Sequence, residues 1–143
     1  MKVAVVVVYD DPGDARLALC RRSVERQEGL WRSYFLHCGV RRRYGDVLWC
    51  RLEAASRAIE DGADAVCFVD SDVVLPRRDW LVKMAEPLAR EDVVGTFTYH
   101  RLSPLLNAPS RYYVLSQVRR APRHVVKTLG STLIKSEGIV EAA

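Results

Sequence analysis

Residues 65–69 form a short, unbroken apolar run, Ala-Val-Cys-Phe-Val, that ends directly in Asp70-Ser71-Asp72. A run this short, closed by acids, is typical of a strand buried in a parallel sheet. Ligands of open α/β sheets bind at the carboxyl ends of such strands, which is where Asp70 and Asp72 fall. Two carboxylates there can hold a hard divalent cation against a diphosphate. The alternative is that both acids only solubilise a loop or cap a helix.

A second apolar run, residues 2–8, predicts another central strand because it is rich in β-branched valine. Asp11 follows it at a suitable N-cap position, and Asp14 lies where a capping-box acid belongs. We therefore predict a helix from this turn to about Gln27. Asp10 is not needed for capping and is a candidate ligand contact at the end of the strand.

The rest of the chain continues the alternation of strand and helix as far as about residue 99. This order predicts an α/β layered domain with a mainly parallel sheet. Beyond it, residues 103–110 are predicted to be a loop, and 111–118 fit either helix or strand. The other predicted strands are 31–38, a short edge strand at 47–49, 92–99 and short pieces at 125–126 and 132–134; the other helices are 51–61 and one that starts near Asp79.

The composition limits the class of protein. A chain of 143 residues with 49% apolar and 28% charged residues is long and apolar enough for one globular domain. No apolar run approaches the roughly 20 residues that a membrane span needs, and residues 3–8 are too short for a signal peptide. We therefore expect a cytoplasmic protein without a membrane span, and leave peripheral membrane contact open.

The net charge of +4 and the arginine clusters at 41–43, 77–78 and 119–120 admit an anionic partner. The clusters are scattered and do not form one continuous patch, so nucleic acid is a minor alternative. Cys20, Cys38, Cys50 and Cys67 show no C-x-x-C spacing, which argues against a zinc site or a redox pair. We predict that all four are free thiols packed in the core.

Residues 62–81, GADAVCFVDSDVVLPRRDWL, carry a resemblance to a known family. The segment resembles the nucleotide-sugar-binding half of inverting glycosyltransferases of the GT-A fold, family 2. Such enzymes have a strand ending in Asp-x-Asp, a turn with proline, and a helix opening Asp-Trp-Leu, here Asp79-Trp80-Leu81. Residues 92–98 and 130–135 are similar to later segments of the same family. The resemblance implies a three-layer α/β/α sandwich over residues 1–143, with the acceptor half shortened or missing.

The resemblance also implies a binding site. Asp70 and Asp72 would hold Mn²⁺ or Mg²⁺ against the diphosphate of a nucleotide sugar, with Asp70 also near the ribose or sugar. Tyr9, Asp10 and Asp11 match the family's nucleoside-contacting turn. Arg51 falls where many members have a basic residue.

The sequence departs from the family in two places. The second predicted strand ends Leu36-His37-Cys38-Gly39, where the family usually has acids that contact the base or ribose. The catalytic base is not assigned, because Glu137 and Glu141 lie in no matching motif. His100 and His124 are candidates for a replacement base or a third metal ligand, or are ordinary surface residues.

These observations predict a metal-dependent glycosyltransferase that moves a sugar from a nucleotide donor (a UDP- or GDP-sugar) to an unidentified acceptor hydroxyl. The alternative is a non-catalytic nucleotide-sugar-binding module that needs a partner chain; a second copy of this chain would be one such partner. A nucleotidyltransferase would need a glycine-rich basic loop after the first strand. Residues 9–14 hold one glycine and three acids, which argues against it.

Overall fold

The computed structural model describes residues 1–39, 44–97 and 132–135, without the side chains of 44–46 and 132–135. The predicted elements at 103–110, 111–118 and 125–126, as well as His100, His124, Glu137 and Glu141, lie outside these residues. Strands and helices alternate along the chain, as the sequence predicts. The elements are β1 (Val3–Tyr9), α1 (Ala15–Glu25), β2 (Leu30–His37), α2 (Tyr44–Glu60), β3 (Ala65–Asp70), α3 (Trp80–Ala85), a 3₁₀ turn (Glu86–Ala89), β4 (Gly95–Phe97) and β5 (Thr132–Lys135).

The described strands form one sheet in the order β2-β1-β3-β5-β4. Strand β1 is central among the parallel strands, since it pairs in parallel with both β2 and β3. Strand β5 runs antiparallel to both of its neighbours, β3 and β4. Strands β1 to β4 therefore share one direction and only β5 opposes them, which confirms the predicted mainly parallel sheet.

Helices cover both faces of the sheet, because alternate residues of β1 point to opposite sides. Val3, Val5 and Val7 pack in one buried cluster with residues of α1 and α3. Ala4 and Val6 pack on the other face in a second cluster with the alanines of α2. The predicted three-layer α/β/α sandwich is confirmed, and burial on both faces explains why β1 and β3 are apolar without alternation.

Helix α2 corrects one prediction: residues 47–49 are not an edge strand but part of this helix. Its buried side chains include Cys50, Ala54 and Ala58, four residues apart, which places one continuous stripe against the sheet. Leu48 and Trp49 lie off that stripe and are 54% and 72% exposed. The strand preference of Val-Leu-Trp is a local property, and the helical packing of the whole segment outweighs it.

Helix α1 starts later than the sequence predicts. Its N-cap is Asp14, whose side chain accepts a hydrogen bond of 2.8 Å from the Arg16 amide. Asp11 instead accepts a 2.8 Å hydrogen bond from the Gly13 amide and so closes the preceding turn. The prediction of Asp11 as the cap was wrong because either acid can satisfy a nearby amide, and the turn uses both.

The cysteines also differ from the prediction. Cys38 and Cys50 form a disulfide, with their Cα atoms 6.3 Å apart, so only Cys20 and Cys67 are free. All four are buried, as predicted. The pairing could not be inferred from spacing, because it depends on how the end of β2 meets α2 in space.

Burial keeps both free thiols protonated. It raises the pKa of Cys67, and burial together with the nearby Asp72 and Asp70 raises the pKa of Cys20 to about 11. Within the described ranges, none of the helices is both long enough and apolar enough to cross a bilayer. Disulfides are uncommon in the cytosol, and the expected cytoplasmic localisation stays a prediction.

Candidate functional site

The carboxyl ends of β1, β2 and β3 meet at one edge of the sheet. In the strand register Tyr9 is opposite His37, and Val8 is opposite Asp70. Three of the predicted site residues, Tyr9, Asp10 and Asp70, therefore lie at this edge by the geometry of parallel pairing alone. His37 joins them, although sequence reasoning noted only that no acid stands there.

A tight turn presents the two acids after β3. The Val73 amide donates a 3.0 Å hydrogen bond to the Asp70 carbonyl, which closes a four-residue turn with Ser71 and Asp72 inside it. The buried thiol of Cys20 also donates to that carbonyl, at 3.5 Å. Both carboxylates remain exposed at the sheet edge, where a ligand can reach them.

The segment after this turn is anchored to α1 by two buried polar side chains that the sequence analysis did not single out. The Leu75 amide donates to Ser23 Oγ at 3.0 Å. Gln27 donates through Nε2 to the Arg77 carbonyl at 2.7 Å and accepts at Oε1 from the Leu81 amide at 3.0 Å. The sequence signal was available: Ser23 is a polar residue beside Val24 in α1, and the polar Gln27 follows four residues later, just beyond the end of the helix.

Arg51 forms an ion pair with Asp70, through Nη2 and Oδ1. Helix α2 places it there, one residue after the disulfide-bonded Cys50. Sequence resemblance alone had suggested Arg51, and the fold brings it to the same edge as Asp70. The charge-assisted contact with the guanidinium restricts the orientation of the Asp70 carboxylate.

Asp72 has a basic neighbour of its own, which the sequence analysis missed. Arg16 Nη1 lies 3.7 Å from Asp72 Oδ2. The same guanidinium donates to both carboxylate oxygens of Asp14, at 2.7 to 3.1 Å. The hydrogen bonds from the Arg16 side chain, followed by that from its amide, lower the pKa of Asp14. No local pattern marks Arg16, because Asp72 is distant in the sequence.

The turn after β1 meets the end of β2. The rings of Tyr9 and His37 lie 5.4 Å apart at 34°, and His37 Nε2 is 2.8 Å from the Asp10 carbonyl oxygen. A carbonyl can only accept, so Nε2 carries the proton and a neutral His37 keeps Nδ1 as an acceptor. Asp10 keeps its carboxylate exposed, whereas the carboxylate of Asp11 already accepts from the Gly13 amide.

A divalent cation fits the donor chemistry of the turn only in part. Among the residues that the structure describes, no group of three or more Asp, Glu, His or Cys side chains is arranged to hold a metal ion. Asp70 and Asp72 supply two hard oxygen ligands. Mg²⁺ in nucleotide sites typically uses one or two carboxylates and completes its shell with phosphate oxygens and water. The residues therefore fit a cation that binds together with a phosphorylated ligand.

No protein-family model matches this sequence, and the search of curated proteins finds no significant relative. The solved structures with a similar fold include the following two. One is a glycosyltransferase involved in the glycosylation of the major capsid of PBCV-1, with a TM-score of 0.65 and 10% identity over 99% of this chain. The other is the M. tuberculosis glucosyl-3-phosphoglycerate synthase, with a TM-score of 0.57 and 16% identity over 95% of this chain.

This chain spans 63% and 57% of the lengths of those two proteins. At such low identity the likeness shows the fold and not the activity. Both similar structures are nonetheless glycosyltransferases, and the chain has the GT-A-like α/β fold that its sequence resemblance predicted.

Proposed function

We propose that this chain binds a nucleotide sugar and acts as a metal-dependent glycosyltransferase, moving the sugar to an acceptor hydroxyl. One observation carries the proposal. In a fold shared with two glycosyltransferases, parallel pairing brings Tyr9 and Asp10 to the same sheet edge as Asp70 and Asp72. Donor binding at this edge follows the general behaviour of open α/β sheets.

The two halves of the edge suit different parts of a donor such as a UDP- or GDP-sugar. The Tyr9 and His37 rings, with the exposed carboxylate of Asp10, offer an aromatic and polar surface for a nucleoside. The turn at Asp70-Ser71-Asp72 offers two carboxylates for a cation that also binds the diphosphate. When bound there, Mn²⁺ or Mg²⁺ would stabilise the negative charge that develops on the departing nucleoside diphosphate.

Contacts within the protein order the turn at Asp70-Ser71-Asp72 in the absence of a ligand. Arg51 holds Asp70 by an ion pair, and the Val73 amide fixes the backbone of the turn. Ser23 and Gln27 tie the following segment to α1. Ligand binding then needs little further ordering of the backbone, which favours affinity.

Calorimetry with UDP and GDP, each with and without Mn²⁺ or Mg²⁺, tests the proposal. We expect one nucleotide to bind only when the metal is present. Asp72→Asn removes a charged ligand without changing its size and should weaken that binding by about tenfold or more, equivalent to about 1.4 kcal/mol or more. Glu60→Gln, an exposed acid at the far end of α2, is the matched control and should bind like the wild type.

Absence of binding by either nucleotide, or equal binding by Asp72→Asn and the wild type, would contradict the proposal. Release of nucleoside diphosphate from the matching nucleotide sugar then tests turnover. Metal-dependent binding without such release would favour the non-catalytic binding module over the enzyme.

A further inference from the structure

Arg16 occupies an unusual position between two acids. It is the second residue of α1, and its guanidinium is held by Asp14 through three hydrogen bonds of 2.7 to 3.1 Å. These bonds use Nε and Nη2 and leave Nη1 on the side of Asp72. The Arg16 side chain is 66% exposed, so a ligand can reach its guanidinium.

The contact with Asp72 is loose by comparison. Arg16 Nη1 and Asp72 Oδ2 are 3.7 Å apart, which is close enough for an ion pair but too far for a hydrogen bond. The hydrogen bonds to Asp14 therefore fix the position of the Arg16 guanidinium, and Asp72 contributes only electrostatic attraction to it. The two contacts differ in strength, so Asp72 can be exchanged for another anion while Asp14 keeps the guanidinium in place.

Arg16 and a divalent cation compete for Asp72. Both are positive, and a cation on Asp72 would lie close enough to Arg16 for the two to repel. A ligand with several anionic oxygens removes the conflict, since it can bind the cation and the guanidinium together. The planar fork of arginine is well matched to phosphate oxygens.

We propose that Arg16 is a diphosphate-binding residue, which pairs with Asp72 in the free protein and donates from Nη1 to the ligand's diphosphate when Asp72 takes the cation. The inference rests on the proposed function and assigns a specificity-determining residue to the same site. It predicts that cation and diphosphate bind cooperatively. The cation and Arg16 repel each other when the cation binds alone, and the diphosphate removes this repulsion because its oxygens bind both. It also predicts preference for a diphosphate over a nucleoside, which has no phosphate oxygen for Arg16.

The test compares wild type, Arg16→Gln and Arg16→Lys by calorimetry, after circular dichroism has shown that each variant is folded. The probes are Mn²⁺ alone, UDP and GDP with saturating Mn²⁺, and the corresponding nucleosides. For Arg16→Gln we expect diphosphate affinity to fall by about tenfold or more, nucleoside affinity to stay unchanged, and affinity for Mn²⁺ alone to rise. Arg16→Lys should fall between, because it keeps the charge and loses the fork.

Arg22→Gln is the matched control, since Arg22 is an exposed arginine of the same helix. It should bind every probe like the wild type. In Arg16→Gln the affinity for Mn²⁺ alone should rise while the affinity for the diphosphate falls. These opposite changes distinguish a diphosphate-binding role from a structural one, because a damaged site would lose affinity for both.

If Arg16→Gln binds the nucleoside diphosphate as tightly as the wild type does, this inference is overturned and the proposed function still stands. A parallel loss of affinity for Mn²⁺ alone and for the diphosphate would do the same. Failure of the wild type to bind UDP or GDP with Mn²⁺ would overturn both proposals.

Discussion

At the scale of single residues, Ser23 and Gln27 are the only buried polar side chains within the described ranges, and both act on the backbone of the site. Gln27 uses its whole amide group: Nε2 donates to the Ser23 and Arg77 carbonyls, and Oε1 accepts from the Leu81 amide. A buried backbone group that loses its hydrogen-bond partner lowers the stability of the folded state, whereas a buried group that keeps its partner costs little. The segment that follows Asp70-Ser71-Asp72 is therefore held by Gln27, two residues beyond the end of α1.

Gln27→Leu should destabilise the protein by roughly 2–4 kcal/mol, because it leaves the Leu81 amide and the Arg77 carbonyl without their partner. Urea unfolding followed by circular dichroism measures this change. Arg22→Leu, on the exposed side of α1, should stay within about 0.5 kcal/mol of the wild type. Equal stability of the two variants would show that the Gln27 hydrogen bonds contribute nothing net.

At the scale of elements, the disulfide joins the end of β2 to α2. Cys38 directly follows His37, and Cys50 directly precedes Arg51. The Cys38 amide also donates to the Tyr9 carbonyl at 2.9 Å, which extends the pairing of β1 with β2 past the end of β2. The covalent link thus connects the end of β2, beside Tyr9 and His37, to the helix that carries Arg51, the partner of Asp70.

The double variant Cys38→Ser/Cys50→Ser should lose roughly 3 kcal/mol of stability, since the disulfide no longer restricts the unfolded chain across a separation of 12 residues. Urea unfolding without reductant measures the loss. Dithiothreitol should lower the midpoint for the wild type and leave that of the double variant unchanged. A wild type that is insensitive to dithiothreitol would argue against the disulfide.

At the scale of the whole molecule, the central strands β1 and β3 are covered by helices on both sides, and the two free thiols lie inside one of the two resulting cores. Cys67 belongs to β3, and Cys20 to α1, in the same buried cluster. The thiolate is the reactive form of cysteine, and the raised pKa of Cys20, about 11, keeps this thiol protonated at neutral pH. Reaction of these thiols therefore requires the layers to separate.

Ellman's reagent at about pH 8 should react slowly or not at all with the native protein, because both free thiols are buried and protonated. Two thiols should react after unfolding in guanidinium without reductant, and four after reduction. Four reactive thiols before reduction would show that Cys38 and Cys50 are not bonded. Rapid reaction of the native protein would contradict the buried placement of Cys20 and Cys67.

Local chemistry along the chain was enough to predict the α/β layers and the common edge of the sheet at which Tyr9, Asp10 and Asp70 lie. The apolar runs before Tyr9 and Asp70 had to be buried on both faces, and parallel strands buried in this way end at a common edge. Only the folded chain shows the pairing of Arg16 with Asp72, the bond between Cys38 and Cys50, and the single long helix α2. Apolar runs, helix caps and hydrophobic periodicity involve residues that are close in the sequence. The pairing of Arg16 with Asp72, the disulfide and the extent of α2 depend instead on which distant segments the connections between strands bring together.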